Sequence, residues 1–169
     1  MQSRIIIQPF EIKYLGDYYR EFTEEITKYQ WPDPFATKDE ARKTLQGFLE
    51  EMKAGETLLY SILSKDGAFL GSTEVHGLTE DCPEIGVWII EREQRKGYAY
   101  EALSTLLERV RSQYNKTRFY FETDIQNAGS MRLLQKLKKQ YDILEKGFEE
   151  ITTDSGKELK LKGYIIRSK

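Results

Sequence analysis

Cysteine and histidine are almost absent from this chain. Its 169 residues include one cysteine, Cys82, and one histidine, His76. A single cysteine excludes an intramolecular disulfide and is typical of proteins in a reducing cytoplasm. One cysteine and one histidine cannot supply the ligands of a structural zinc site, so we expect no metal. A single histidine also argues against a Ser-His-Asp hydrolase.

Long apolar runs and a strong excess of one charge are missing too. No run approaches the roughly 20 apolar residues of a membrane-spanning helix, and the first residues lack the apolar core of a signal peptide. The net charge is −2, which provides no basic field to attract nucleic acid or an anionic membrane. We therefore expect a cytoplasmic protein that binds neither. The length suits one domain over residues 1–169.

The chain does contain regular hydrophobic periodicity. Two-residue alternation and short apolar runs predict strands at residues 4–10, 58–64, 68–76, 85–90, 118–125, 141–151 and 158–167. Helical spacing predicts helices over residues 15–29, from a capping box at residues 37–40 to Gly55, over residues 99–114, and from Asn127 to about Leu137. The predicted order is β-α-α-β-β-β-α-β-α-β-β.

The most informative stretch covers residues 84–103. An apolar strand is followed by a charged loop, and a helical pattern begins at Gly97. Unpaired N–H groups and the positive end of the helix dipole meet at such a join, which suits an anion such as a pyrophosphate. Gly97 has no side chain to block the approach, and Arg95 and Lys96 add positive charge.

Two common phosphate motifs do not fit this stretch. The Walker loop needs Gly-Lys-Ser/Thr, and the dinucleotide fingerprint needs further glycines at fixed offsets. The run Gln94-Arg95-Lys96-Gly97-Tyr98-Ala99 instead reads Q/R-x-x-G-x-G/A, with Ile90 four residues before Gln94. Taken alone, these six residues also fit an ordinary strand–loop–helix join. The run resembles the acyl-CoA signature of the GNAT acetyltransferase superfamily.

Other parts of the chain carry the same resemblance. Asn127-Ala128-Gly129-Ser130 is similar to the N-x-x-S helix start of that superfamily. Pro34-Phe35-Ala36-Thr37 and the Gly-Tyr-Ala-x-Glu-Ala-Leu run from Gly97 resemble the subgroup named after ribosomal-protein N-terminal acetyltransferases. The resemblance implies an α+β fold, with a mostly antiparallel sheet of about seven strands and about four helices. Strands four and five would be parallel and splayed apart.

The resemblance also implies acetyl-CoA as co-substrate. Backbone amides of residues 95–100 would bind its pyrophosphate, the strand around Ile90 would pair with the pantetheine arm, and Ser130 would lie near the sulfur. A backbone N–H near residues 88–90, freed by a bulge, would stabilise the oxyanion. The implied cofactor-binding residues are Trp88, Ile89, Ile90, Gln94, Arg95, Lys96, Gly97, Tyr98, Ala99, Tyr100, Asn127 and Ser130.

Three sets of residues are candidates for the general base. Glu84 comes first, because strand alternation puts it on the face of Gly86, Trp88 and Ile90. The pair Glu74 and His76 comes second, and Glu122 with Asp124 third. Each of these residues also has a structural interpretation, as a solvated carboxylate or a structural histidine.

The general acid is a point where this chain departs from the family pattern. Many members have a tyrosine seven residues after the capping asparagine, and Leu134 occupies that position here. The acid would then be Ser130, or the thiolate would leave without a dedicated acid.

The acceptor would be a primary amine, on a protein N-terminus or a small molecule. The resemblance implies contacts from Tyr29, Trp31 and Phe35, near the acidic pair Glu50-Glu51. The same aromatic residues could instead cover the core. A non-catalytic acyl-CoA-binding or sensor domain is the main alternative function, and a module binding another phosphate ligand is more distant. Either a monomer or a homodimer is compatible with the sequence.

The central motif predicts that Gly97→Glu abolishes binding of acetyl-CoA. The new carboxylate would repel the pyrophosphate and block its approach to the backbone. Calorimetric titration should show binding to the wild type and none to the variant. Failure of the folded wild-type protein to bind would leave the motif a structural join only.

Overall fold

A computed structural model describes residues 3–169, and residues 1 and 2 of the predicted domain lie outside it. The strands are β1 (Ile5–Pro9), β2 (Thr57–Ser64), β3 (Phe69–His76), β4 (Glu84–Ile89), β5 (Arg118–Asp124), β6 (Tyr141–Thr152) and β7 (Glu158–Ser168). The α-helices are α1 (Leu15–Glu21), α2 (Glu24–Thr27), α3 (Lys38–Lys53), α4 (Tyr98–Tyr114) and α5 (Ala128–Leu137). The predicted α+β class and strand order are confirmed.

One predicted helix is divided in two. The apolar stripe over residues 15–29 predicts a continuous helix, whereas the structure ends α1 at Glu21 and starts α2 at Glu24. The Thr23 hydroxyl accepts a hydrogen bond from the N–H of Ile26 at 3.4 Å, which makes Thr23 a helix N-cap. The predicted stripe is still buried at Leu15, Tyr18, Phe22 and Ile26, whereas Tyr29 lies beyond α2 and is only partly buried.

The seven strands form one sheet in the order β1-β2-β3-β4-β5-β7-β6. Every neighbouring pair is antiparallel except β4 and β5, which are parallel. The β4–β5 pairing is limited to Glu84 opposite Tyr120, next to a hydrogen bond of 2.9 Å from the Tyr120 N–H to the Pro83 carbonyl. Beyond that point the two strands separate, so the predicted splay is confirmed.

The sheet has an apolar core on each face. The α4 side buries the helix stripe that the sequence predicts, including Leu103, Leu106 and Val110. The other side packs α1 and α3 against the sheet around Leu45. Strand β4 serves both cores, since Ile85 and Ile89 lie in the first and the neighbouring Trp88 and Ile90 in the second. This alternation holds β4 rigidly while its edge toward β5 remains open.

Asp124 has a structural environment, in contrast to its interpretation as a catalytic base. Its side chain is fully buried at the end of β5. One carboxylate oxygen accepts from the Gln126 N–H and the other from the Lys160 N–H, both at 2.7 Å. The carboxylate therefore connects the turn before α5 to strand β7, and it does not line the space between β4 and β5.

We predict that Asp124→Ala lowers the free energy of unfolding by about 3 kcal/mol, because two backbone donors lose their acceptor in a buried site. Asp142→Ala is the control, since Asp142 is half-exposed and forms a surface ion pair with Arg167. Its loss should stay below about 1 kcal/mol. Denaturant titration of both variants measures the difference, and similar losses would contradict the role assigned to Asp124.

Candidate active site

The separation of β4 and β5 creates a cleft that gathers most of the predicted site residues. It is lined by Tyr29, Gln30, Trp31, Glu74, His76, Glu84, Ile85, Gly86, Val87, Trp88, Phe121, Glu122, Thr123, Asn127 and Ser130. The predicted catalytic residues Glu74, His76, Glu84 and Ser130 thus come from two strands and a helix to one place.

The backbone after β4 has the geometry that an anion site needs. Gly97 is the N-cap of α4 with φ of +88°, a conformation that side chains other than glycine rarely adopt. The side-chain amide of Gln94 donates to the Ile89 carbonyl at 3.1 Å and so ties the loop to the strand. Because Gly97→Ala carries the same backbone strain without a carboxylate, it is the control for Gly97→Glu.

Arg4, just before β1, contacts this loop, and the sequence did not indicate that role. Its Nε donates to a Glu101 carboxylate oxygen at 2.7 Å, and its Nη2 donates to the Lys96 carbonyl at 2.8 Å. The guanidinium also lies over the Tyr98 ring, 4.8 Å from its centroid. Arg4 therefore holds the loop against the first turn of α4, across more than ninety positions of sequence.

The positive charge of the loop is partly neutralised. The Lys96 ammonium, which we expected to face an anion, lies 2.7 Å from the Glu93 carboxylate. The pKa of Lys96 is raised, chiefly by that hydrogen bond. Backbone N–H groups of the α4 start are therefore the main attraction for an anion here, with Lys96 available only when it leaves Glu93.

The open edge of β4 differs from the prediction in one respect. The β3–β4 register is continuous from Glu84 to Ile89, so the predicted bulge near residues 88–90 is wrong. The Ile90 N–H donates to the Leu70 carbonyl at 2.8 Å and thus points toward β3. Because successive residues of a strand address opposite edges, the backbone groups of Val87 and Ile89 point into the cleft. The splay itself provides free N–H groups there.

Glu84 lies where β4 leaves β5, and it remains exposed to solvent in the cleft. Partial desolvation by the surrounding residues is the largest factor raising its pKa, and the nearby Glu122 carboxylate raises it further. Glu122 in turn accepts a hydrogen bond of 2.7 Å from the Tyr120 hydroxyl. A carboxyl group with a raised pKa is a stronger base once it is ionised.

The second candidate for the general base, the pair Glu74 and His76, also lines the cleft. The His76 Nε2 lies 3.4 Å from a Glu74 carboxylate oxygen, and the Phe48 ring packs at 5.5 Å from the imidazole. The hydrogen bond with Glu74 is the main factor raising the pKa of His76, and burial opposes it. The imidazole thus lies beside the Glu84 carboxylate as a second group that can exchange protons near neutral pH.

Helix α5 supplies the two polar residues on the β5 side. The Asn127 Oδ1 accepts from the Ser130 N–H at 3.1 Å and caps the helix. Its amide nitrogen can still donate to a ligand in the cleft that Asn127 lines. Leu134, where many family members have tyrosine, is buried in the core and offers no proton.

The predicted acceptor residues fall into two groups. Tyr29 and Trp31 line the cleft, and Trp31 is 68% exposed at its mouth. Phe35 instead packs 5.7 Å from the Phe22 ring, in the aromatic cluster beneath α1. Glu51 accepts a hydrogen bond from the Thr57 hydroxyl at 3.0 Å and also lies outside the cleft. The structural interpretation therefore suits Phe35.

Metal-binding clusters and membrane-spanning helices are both missing from residues 3–169, the part of the chain that the structure describes. Within that range, no group of three His, Cys, Asp or Glu side chains is arranged to hold a metal ion. The helices of the same range lack the length and apolar character needed to cross a membrane.

A family model described as an acetyltransferase (GNAT) domain matches residues 4–139. This chain belongs to the GNAT acetyltransferase family. The family predicted from the Gln94–Ala99 motif is thereby confirmed. No curated protein sequence gives a significant match.

Solved structures with the same fold are distant in sequence. Spermidine N-acetyltransferase from Vibrio cholerae, in complex with CoA and spermine, has a TM-score of 0.84 at 15% identity and covers 99% of this chain and 97% of its own. RimL, a ribosomal L7/L12 alpha-N-protein acetyltransferase in complex with CoA, has a TM-score of 0.84 at 15% identity, and the match covers 99% of this chain and 96% of RimL. Mycobacterium smegmatis RimJ has a TM-score of 0.83 at 16% identity, and the match covers 96% of this chain and 81% of RimJ. At such identities the likeness establishes the GNAT fold alone.

Arg4 makes a testable contribution to this GNAT cleft. We predict that Arg4→Met raises the Kd for acetyl-CoA about fivefold, because the loop loses a charge-assisted hydrogen bond and Glu101 is left unpaired beside the anion site. Arg111→Met, which breaks an Arg–Glu pair at the far end of α4, is the control. Calorimetry measures both, and Kd values within twofold of the wild type for Arg4→Met would show that the loop holds its shape without it.

Proposed function

We propose that this GNAT protein is an acetyl-CoA-dependent N-acetyltransferase that transfers the acetyl group directly to a primary amine. The observation that carries the proposal is the cleft itself. One splayed seam combines a helix start suited to an anion, an open strand edge and a carboxyl group with a raised pKa, that of Glu84. These are the parts that holding a thioester and deprotonating an amine require. CoA is bound in two of the similar structures.

The residues present fit acetyl-CoA. A Cβ at position 97 would lie 3.1 Å from the Arg4 Nη2, the end of a flexible side chain that could move by a few tenths of an ångström, and no other atom lies within 4 Å. The backbone around Gly97 is therefore open to a pyrophosphate. The N–H groups of residues 95–100 would receive the pyrophosphate, and the β4 edge at Val87 and Ile89 would pair with the pantetheine amides. When bound, acetyl-CoA supplies the acetyl group as a thioester.

The proton chemistry falls to the carboxylates of the cleft. The amine must be neutral to attack, so Glu84 accepts its proton, directly or through a water molecule. His76, held by Glu74, can accept the proton in turn or act as the base itself. As negative charge develops on the carbonyl oxygen, the N–H of Val87 or Ile89 would stabilise it. Ser130 is the remaining candidate to protonate the departing thiolate.

The cleft favours a cationic acceptor. Glu74, Glu84 and Glu122 line it together, and Trp31 offers an exposed aromatic face at the mouth. Carboxylates and an aromatic face both attract an ammonium group. The similar structures include a spermidine acetyltransferase and a ribosomal-protein acetyltransferase, so a polyamine and a protein N-terminus are the two acceptor classes to test. We further propose that residues 1–169 act as one domain in the cytoplasm.

A non-catalytic acyl-CoA-binding domain is the second candidate function. The buried Leu134 favours it, because the position that carries the acid in many family members has no hydroxyl here. Release of free thiol from acetyl-CoA with spermidine or with a short peptide separates the two functions. Binding without turnover of either acceptor would favour the non-catalytic domain.

Glu84 is the residue whose loss should affect chemistry most. We predict that Glu84→Gln lowers kcat about 10²- to 10³-fold, because the amide cannot accept the proton, while the Kd for acetyl-CoA stays unchanged. The pH–rate profile should also lose its acidic limb. A kcat within threefold of the wild type would contradict this role for Glu84 and indicate His76 as the base. The variant His76→Gln would then test that assignment.

Glu122→Gln gives a complementary pH profile in the same assay. The Glu122 carboxylate raises the pKa of Glu84, so its removal lowers that pKa. The base is then ionised at lower pH, and the acidic limb should move to lower pH. A limb that stays in place would show that Glu84 is not the group being titrated.

A further inference from the structure

Lys157 makes an unusual set of contacts for a lysine in a hairpin turn. Its Nζ donates to the carbonyl oxygens of Thr27 at 2.8 Å and Gln30 at 2.6 Å, and it lies 2.8 Å from the Asp33 Oδ1. Only 18% of its side chain is exposed. An ammonium group has three N–H donors, so these three acceptors use all of them.

The Thr27 carbonyl belongs to the end of helix α2, and the Gln30 carbonyl belongs to the turn that follows it. Thr27 is its last residue, and the Gln30 N–H donates to the Thr27 carbonyl at 3.0 Å in the turn that follows. The last carbonyls of a helix lack partners within the helix, and a cation beside them also complements the dipole. A helix of four residues has little stability of its own, so this cap matters more here than on a long helix.

The turn that carries Lys157 is itself well ordered by hydrogen bonds. The Thr153 N–H donates to the Lys157 carbonyl at 2.8 Å, and the Lys157 N–H donates to the Thr153 hydroxyl at 3.1 Å. Asp33 adds a second connection, since Ser155 and Lys157 both donate to its carboxylate and lower its pKa. The β6–β7 turn and residues 27–33 are therefore joined at more than one point.

The segment that Lys157 holds is one wall of the cleft. Tyr29, Gln30 and Trp31 all line the cleft, opposite the carboxylates of β3, β4 and β5. No regular helix or strand covers residues 28–37, so their placement depends on such tertiary contacts. The bond to the Gln30 carbonyl lies in the middle of this wall and next to the exposed Trp31.

We propose that Lys157 is a positioning residue for the amine acceptor, which acts by fixing Tyr29, Gln30 and Trp31 across the cleft from Glu84. The proposal rests on the proposed function, because it assigns the wall to that acceptor. Lys157 does not touch the reacting atoms. Its loss should therefore weaken acceptor binding and leave both acetyl-CoA binding and the base unchanged.

The first test separates the two substrates kinetically, with spermidine and a short peptide with a free N-terminus as acceptors. Lys157→Met keeps the aliphatic stem and removes the charge. We expect kcat/KM for the acceptor to fall about 10- to 100-fold, mainly through KM, with the KM for acetyl-CoA unchanged. Lys157→Arg should recover part of the loss. Lys160→Met, an exposed lysine on β7 in the same hairpin, is the matched control.

The second test measures the wall directly. Amide hydrogen exchange over residues 28–33 should be faster in Lys157→Met than in the wild type and Lys160→Met, with exchange in α4 unchanged. Unchanged exchange together with an unchanged acceptor KM would overturn the proposal. If the wild-type protein acetylates neither acceptor, the proposed function fails and the acceptor role with it. The exchange data would still decide whether Lys157 orders the wall.

Discussion

The parting of β4 and β5 is the constraint on which the rest of this structure depends. The two strands meet only at Glu84 and Tyr120. On their other edges, β4 pairs along its length with β3, and β5 pairs with β7 from Arg118 to Asp124. The seam opens, and hydrogen-bonding groups of β4 that a complete sheet would use remain for a ligand.

The open seam brings opposite electrostatic environments close together. At the α4 end, the positive φ of Gly97 exposes backbone N–H groups to an anion, and Arg4 holds the loop in that shape. At the other end, Glu84 lies near Glu122 and Glu74, and partial desolvation together with these like charges raises its pKa. A pyrophosphate and an ammonium group would each find complementary charge, with the thioester between them. In the proposed function, the same arrangement would attract a cationic amine and make the carboxylate a stronger base toward it.

Two charged residues, Asp124 and Lys157, support the site without lining the cleft. Asp124 connects β7 to the turn before α5 and so supports Asn127 and Ser130. The Lys157 ammonium holds residues 27–33, on another side of the cleft, by donating to three acceptors there. Both side chains are largely withdrawn from solvent and fully hydrogen-bonded, as buried charges must be. A pattern of residue types does not distinguish such a role from a catalytic one, because both need polar groups near the same strand ends.

The sequence by itself determined the strands, their order, most of the helices, the family and the glycine at the start of α4. Each of these depends on residues a few positions apart, such as the helix stripe of α4 and the caps at Thr37 and Asn127. Only the tertiary structure decided which carboxylates share the cleft, that Asp124 and Phe35 lie outside it, and that Arg4 and Lys157 support it from distant strands and turns. The bulge predicted for β4 was also wrong. The free N–H groups there come from the separation of β5 from β4, and not from an irregularity within β4. Contacts between residues far apart in the chain depend on which strands pair and how the side chains pack. The local periodicity of the sequence does not predict either one.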